Sequence, residues 1–432
     1  MERPKPKTIE NNYASPRLSG EILDCALPMS FDQYSRCSFD CKYCFSYFQR
    51  ITAIFRKSAD PKMAIPYNQR PPSSVNVGNI IDMFTGKRKT PFSGIIARRN
   101  PFQWGGLSDP FDSYEKQYGV GLEILKVLHK MKYPICFSTK GTWIVDDDHY
   151  ASLFHNNSFW NVKVSIINMD AEKAKLMERG VASPSDRLEF IRRLAQLQGK
   201  QGAGVTLRLR PFIIGYTNPS HIELIQKAIA FGASAVTTEF LCIEGRMAPE
   251  TQKRYTEMSE IIGFDLLDFY RKNTINPAGY MRLNWKIKEK YINEMQKACT
   301  VRFYVSDAHH KDRSCNGCCC GLPESWTYHR GQYTNALLIA KKKGWVAWSD
   351  IENDIFPELG EQNIVQACGL NIGRGTASQR ARFQNLSIKD YIKMMWNDPN
   401  QGHSPYKYFY GLLKPLKLDN DKNIIYQYVP YS

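Results

Sequence analysis

From about residue 94 to 242 the chain alternates between short β-type runs and amphipathic helical stretches. This rhythm constrains the fold more than any other feature. β-rich runs separated by helices of about ten or more residues build βαβ units and a parallel sheet. GIIARRNPFQWGG reads as a strand, with a helix near 114–131 after it. PICFSTKG, NVKVSIIN, VTLRLRPFIIG and SAVTTEFLCI read as further strands, with helices near 146–156 and 184–199 and over HIELIQKAIAFG. With a strand ahead of Cys37 the pattern counts about six units, short of the eight of a complete barrel. The expected fold class is therefore α/β: a partial (β/α)6 TIM-type barrel with a C-terminal extension carrying a cysteine-rich loop.

At 432 residues, 43% hydrophobic, the chain can bury a large core. Length alone suggests two to three domains, but a barrel often takes about 200–250 residues as one. The expected organisation is an N-terminal extension over 1–20 and the barrel over 21–245, interrupted by an insertion at 50–93. A helical region and cysteine-rich loop follow over 246–330, and an α+β extension over 331–432. The insertion carries two basic patches, Arg56–Lys57 and Lys87–Arg88–Lys89. The opening MERPKPKTIENNYASPR is charged and has no apolar stretch, so no secretory signal is read there. No apolar run is long enough to cross a bilayer. The expectation is a cytoplasmic protein that does not enter the membrane.

Of twelve cysteines, eight fall in two groups if Cys25 is counted with the first. In a large chain without an export signal, clustered cysteines more often bind metal or do chemistry than form disulfides. Cys37, Cys41 and Cys44 stand in RCSFDCKYCF, a CxxxCxxC spacing. Thiolates are the soft ligands that iron–sulfur clusters prefer. Three of them on one loop can hold three irons of a [4Fe–4S] cubane and leave the fourth open to another ligand. The rival is a zinc site, which normally takes four ligands and for which Cys25 would be the fourth. The second group, SCNGCCCGLP, sets Cys315, Cys318, Cys319 and Cys320 within six residues. With Cys299 or Cys368, a subset of these could hold an auxiliary cluster. A structural or redox role for these thiols is the alternative.

CxxxCxxC with an aromatic, Tyr43, before the last cysteine resembles the signature of the radical S-adenosylmethionine (SAM) superfamily. FDQYSRCSFDCKYCFS, WGGLSDPFDSYEK, CFSTKG, VKVSIIN and MERGVASPSDRLEFIRRL occur in an order similar to that of its spore photoproduct lyase-like branch, across about residues 28–242. The resemblance implies a [4Fe–4S] cluster at Cys37, Cys41 and Cys44 and SAM on its open iron. One-electron cleavage of SAM then yields a 5′-deoxyadenosyl radical that abstracts hydrogen, with a reductase or flavodoxin-type protein as electron donor. It further implies that Gly105 and Gly106 meet the methionine amino group, with Ser108 and Asp109 beside them. A plain tight turn is the other reading of that segment. Lys140 would pair with the carboxylate and Ser165 with the ribose. Arg187 would reach the carboxylate or pair only with Glu178, and adenine would pack near Gly215. The branch places a donor cysteine just before the Ser-Asp segment. Here Trp104-Gly105-Gly106-Leu107 stands there, which argues against thymine-dimer repair as such. Cys242, at the end of the last strand, is the candidate catalytic thiol, an ordinary buried thiol being its other reading.

The balance of 58 Lys+Arg against 42 Asp+Glu, a net +16, favours polyanionic partners, chiefly nucleic acid. Lys341-Lys342-Lys343 beside Trp345 and Trp348, and Tyr406-Lys407-Tyr408, interleave cations with aromatics as phosphates and stacked bases require. Three functions are therefore expected in order: radical SAM chemistry on a nucleic acid or nucleotide-like substrate, the same chemistry on a peptide or protein, and a metal-stabilised nucleic-acid-binding protein without turnover.

Overall fold

The computed structural model describes residues 9–18, 24–48, 71–245, 247–275, 280–354, 357–365 and 383–431. Residues 50–70 of the expected insertion, with the Arg56–Lys57 patch, and also Cys368, lie outside these residues.

The centre is one eight-stranded sheet whose strands lie side by side in chain order. They are β1 (Arg17–Leu18), β2 (Met29–Phe31), β3 (Phe102–Trp104), β4 (Ile135–Thr139), β5 (Trp160–Ser165), β6 (Val205–Phe212), β7 (Ala233–Phe240) and β8 (Arg302–Val305). β1 runs antiparallel to β2, and every later pairing is parallel. Parallel neighbours need crossovers, and helices such as Val120–Lys130, Pro184–Gln198 and His221–Ala230 supply them.

β5 shows why these residues form a strand here. Trp160, Val162 and Val164 pack into the main core with Phe154, Ile191 and Leu194 of the covering helices. Asn161, Lys163 and Ser165 alternate with them on the other face. They hydrogen-bond to other strands of the sheet, Lys163 across β4 to Gln103 of β3, Asn161 to Thr206 of β6, and Arg208 of β6 to Ser165. The fold is thus mixed α/β around a mostly parallel sheet with a polar inner face.

The structure corrects three expectations. Residues Ser93–Ala97 form a helix, and the strand begins only at Phe102. Ile95 and Ile96 are buried on one side while Ala97 and Arg98 are exposed, so this apolar run follows a helical period. The stretch 301–323 is not all loop, because β8 lies within it and makes a seventh parallel strand against β7. Trp348 is 2% exposed and packs on Trp396, so it belongs to the core of the C-terminal region and not to a binding face. That region carries the helices Gln332–Lys343 and Ile388–Trp396 and a three-stranded sheet of Trp345–Val346, Ile424–Tyr428 and Leu413–Leu418.

Candidate metal-cluster site

The loop that follows β2 carries Cys37, Cys41 and Cys44 to the carboxyl-terminal ends of the parallel strands, where ligands of such sheets bind. It is held from three directions. Asp40–Cys41 pairs antiparallel with Glu178–Arg179, and Lys42 N donates to Met177 O at 2.9 Å. From the second side Asp112 caps the helix Ser113–Tyr118 and also accepts from Ser38 N at 2.5 Å. From the third side the helix Pro249–Ile262 supplies Arg254, which donates to Cys41 O at 3.2 Å and to Asp40 Oδ1 at 2.5 Å. The Arg254 guanidinium lies 3.6 Å over the Tyr47 ring. Glu257 and Glu250 of the same helix take Lys42 and the Tyr47 hydroxyl.

Burial pushes the Cys37 thiol well above its ordinary pKa, with Asp112 and Asp109 adding to the effect. Burial likewise pushes Cys41 up to about 12, against the pull of Lys140. Thiols in this setting stay protonated until a cation compensates them, which is what a bound metal does. The three cysteines share one small cavity with Tyr47 and with Leu107 of the turn after β3. Among the described residues no three metal-ligating side chains converge closely enough to grip a single ion. Three soft thiols on one clamped loop are the kind of donor set that iron–sulfur clusters take.

The surrounding residues assemble unequally. Gly105 ends β3 at φ +88°, and a Cβ there would meet Pro110 and the Ser138 carbonyl, both at 2.7 Å. Gly106 follows, with Arg17 filling the space that a Cβ would take. Ser108 and Asp109 lie beside this turn, but their side chains are engaged within the protein. Ser108 N and Oγ both bond Asp32 Oδ1, at 2.8 and 3.2 Å. Asp109 accepts from Thr139 Oγ1 at 2.7 Å, Phe111 N at 2.9 Å and Lys140 N at 2.6 Å. The turn reading of this segment thus accounts for both side chains.

Lys140 ends β4. Its ammonium lies 5.6 Å from the centre of the Tyr43 ring, and among the described residues no carboxylate lies within ion-pairing distance of it. Burial works against its charge, but the neighbouring Cys41 and Glu178 outweigh that, so its pKa is raised. Ser165 ends β5 and receives Arg208 Nη1 at 3.2 Å. Ser183 caps the helix Pro184–Gln198 in a capping box with Asp186, which places Arg187 in the first turn. Arg187 pairs with Glu178 at 2.6 Å and donates to Ser165 O at 2.7 Å. Glu178 also accepts from the Tyr43 hydroxyl. Arg187 therefore pairs with Glu178 and positions the cysteine loop through it.

No sequence relative supports or opposes this arrangement, since no family model and no curated protein matches the chain. In three dimensions the chain is similar to a spore photoproduct lyase mutant with bound AdoMet and dinucleoside spore photoproduct. The identity is 14% over 65% of this chain and 76% of that one, with a TM-score of 0.46. Another mutant of the lyase aligns at 15% identity over 68% of this chain and 80% of that one, with a TM-score of 0.48. Streptococcus suis SuiB bound to precursor peptide SuiA aligns at 9% identity over 66% of this chain and 50% of that one, with a TM-score of 0.37.

The remaining expected residues stand apart from the loop. Gly215, at φ +85°, is closed in by Ile262 and Phe264, which a Cβ would strike at 2.7 and 2.4 Å. Cys242 is half-buried, its thiol directed at the Phe240 carbonyl at 3.7 Å. Burial raises its pKa to about 12, and the charged groups around it are Arg282, Glu239, Asp307 and Lys288. None of these four lies on the cysteine loop.

Of the two fourth ligands expected for an auxiliary set, Cys368 lies outside the described residues, and Cys299 lies apart from the other four cysteines. Cys299, at the end of the helix Trp285–Ala298, packs against the main core. Cys315, Cys318, Cys319 and Cys320 belong to a separate apolar cluster with Cys25 and Cys136. Cys25 thus lies with the second group and not with the first, which removes it as a fourth ligand. The Cys319 carbonyl accepts from Thr237 Oγ1 at 2.7 Å and the Cys320 carbonyl from Cys136 Sγ at 3.6 Å. The cysteine-rich loop therefore lies against the inner face of the sheet, below the level of the candidate site.

The clamp residues Arg254, Glu257 and Glu250 escaped the sequence reading. Arg254 is 213 residues from Cys41, and no local motif marks it.

Proposed function

We propose that this chain is a radical SAM enzyme that binds a [4Fe–4S] cluster through Cys37, Cys41 and Cys44. The observation that carries this reading is the clamped thiol loop together with the Lys140 ammonium beside Tyr43, which among the described residues has no carboxylate within ion-pairing distance. Cys41 and Glu178 already favour the charged ammonium, and an anionic ligand within reach of it would pair with it directly. The methionyl carboxylate of SAM is such a ligand. When bound, cluster and SAM together supply one-electron cleavage of the sulfonium. The protein's own part is to hold and shield that chemistry. Gly105 and Gly106 offer backbone at close approach, and Ser165 offers a hydroxyl at the strand end. Arg187, Glu178 and Arg254 fix the loop so that its thiols keep one geometry. A reductase or flavodoxin-type protein is the expected electron donor.

The proposed substrate is a nucleic acid or a nucleotide-like molecule. The net charge of +16 supports this. Lys87, Arg88 and Lys89 are exposed together, and Trp345 is 43% exposed with the Lys343 ammonium 4.3 Å over its ring. Peptide modification was the second expectation, tied to an auxiliary cluster; of its two candidate further ligands, Cys299 lies apart from Cys315, Cys318, Cys319 and Cys320, and Cys368 lies outside the described residues.

The test is anaerobic reconstitution followed by dithionite and SAM. Production of 5′-deoxyadenosine is expected. An intact cluster that yields none would leave a metal-stabilised binding protein instead. DNA and RNA binding across a salt series tests the substrate class, and absent or salt-insensitive binding removes it.

A further inference from the structure

Next to the proposed SAM contacts, the inner face of the sheet carries more cations than SAM can use. Lys163 of β5 and Arg208 of β6 both point to this face. Lys163 is 4% exposed, and its ammonium donates to the neutral Gln103 Oε1 at 2.6 Å. Arg208 lies opposite Ser165 in the β5–β6 register, and its hydrogen bond is to the neutral Ser165 Oγ at 3.2 Å. Among the described residues no carboxylate lies within ion-pairing distance of either one. Glu239, the nearest acid in the field of Arg208, is paired with Arg210 two residues further along. Burial and the Arg210 charge together lower the Arg208 pKa to about 10. The carboxylates around Lys140 are also engaged, Glu178 by Arg187 and Asp109 by Thr139.

Uncompensated cations on a half-buried face are costly, and proteins keep them where a ligand supplies the missing charge. SAM brings one carboxylate, which Lys140 answers. Lys163 and Arg208 remain. We infer that Arg208, with the Ser165 hydroxyl beside it, binds an oxyanion of the substrate. A guanidinium fork with a hydroxyl suits a phosphate or a carboxylate group. The site rests on the radical SAM reading only in calling the anion the substrate's.

The test uses the full reconstituted chain with inorganic phosphate, and separately acetate, as probes at constant ionic strength. Phenylglyoxal modification of Arg208 is followed by peptide mass mapping, and phosphate affinity by calorimetry. Phosphate is expected to protect Arg208, and R208Q to bind it at least tenfold more weakly, with R208K between. Stronger protection by acetate would equally support the site and name a carboxylate as its ligand. Arg208 modified equally with and without either anion overturns the proposal, and so does an unchanged affinity in R208Q. The protection experiment needs no variant, so a poorly folded R208Q does not rescue the idea. SAM is then added. Stoichiometric displacement of phosphate by SAM overturns the proposal, because the site would be the cofactor's own. Protection by phosphate in a chain that binds no SAM keeps the oxyanion site and removes the radical SAM reading instead.

Discussion

The Arg187 guanidinium and the Glu178 carboxylate meet at 2.6 Å with side chains 1% and 2% exposed. The pair ties the first turn of the helix Pro184–Gln198 to the strand that hydrogen-bonds Cys41. Burial alone would raise the Glu178 pKa, but Arg187, Lys140 and the Tyr43 hydroxyl outweigh it and hold it below its ordinary value. Removing one partner of such a pair leaves an uncompensated buried charge and costs about 3–5 kcal/mol. Glu178→Gln should lower stability by about that much in urea denaturation at pH 7. The double change Glu178→Gln with Arg187→Met should recover much of the loss. A double variant as unstable as the single one would refute this account.

Lys140 differs, since among the described residues no carboxylate lies within ion-pairing distance of it. Lys140→Met should leave the melting temperature unchanged or slightly lowered, since Cys41 and Glu178 favour the charged ammonium, and leave iron content unchanged. A charge-assisted hydrogen bond is worth about 1.5–3 kcal/mol, so SAM affinity should fall about 10- to 100-fold. Equilibrium dialysis against labelled SAM measures this. Unaltered affinity would remove Lys140 from the cofactor site.

The two cysteine groups should separate cleanly by iron analysis. The reconstituted chain should carry about four irons, and Cys37→Ala, Cys41→Ala or Cys44→Ala should each reduce that to less than one. Cys318→Ala and Cys319→Ala should leave it at about four. A count near eight in the parent chain would instead establish a second cluster and return peptide substrates to consideration.

A pH signature is expected away from the site. His309 is 2% exposed and stacks on Tyr410 at 3.7 Å. Burial, with Lys288 nearby, lowers its pKa to about 3. The unfolded chain takes up this proton near pH 6.5 and the folded chain does not. The stability involved is therefore present above pH 6.5 and is lost as pH falls towards about 3. Between pH 7 and 5 the parent chain should lose about 2 kcal/mol more than His309→Phe, which keeps the stack. Equal losses in urea denaturation would contradict a neutral buried His309.

Arg254 has no local sequence signal, yet it touches Asp40, Cys41 and Tyr47. Arg254→Leu should loosen the loop without removing a thiol. Iron should still incorporate, but the cluster should be lost several times faster to a chelator. A chelation rate equal to the parent's would assign Arg254 to stability alone.

How much of this was legible beforehand differs by element. The strands at 135–139, 160–165, 205–212 and 233–240 match β-type runs because one face of each packs under helices. Ile95 and Ile96 misled, since a short apolar run does not say whether its period is two or 3.6. β8 was hidden because RFYV is a short run beside a cysteine-rich loop, and its pairing to β7 is a long-range event. Cys299 and Cys25 were grouped by proximity in sequence, which says nothing about which layer of the fold they enter.

The cysteine spacing of 37, 41 and 44 was set by the chain itself, because three thiols within eight residues share a loop whatever surrounds them. The order of strands and helices was likewise local in origin, resting on periodicity and caps. Tertiary structure alone decided what the loop is clamped by, which cations have no carboxylate beside them among the described residues, and that Arg187 pairs with Glu178. Those outcomes depend on which charges from distant strands are buried together. Burial and pairing are properties of the packed sheet and not of any segment within it.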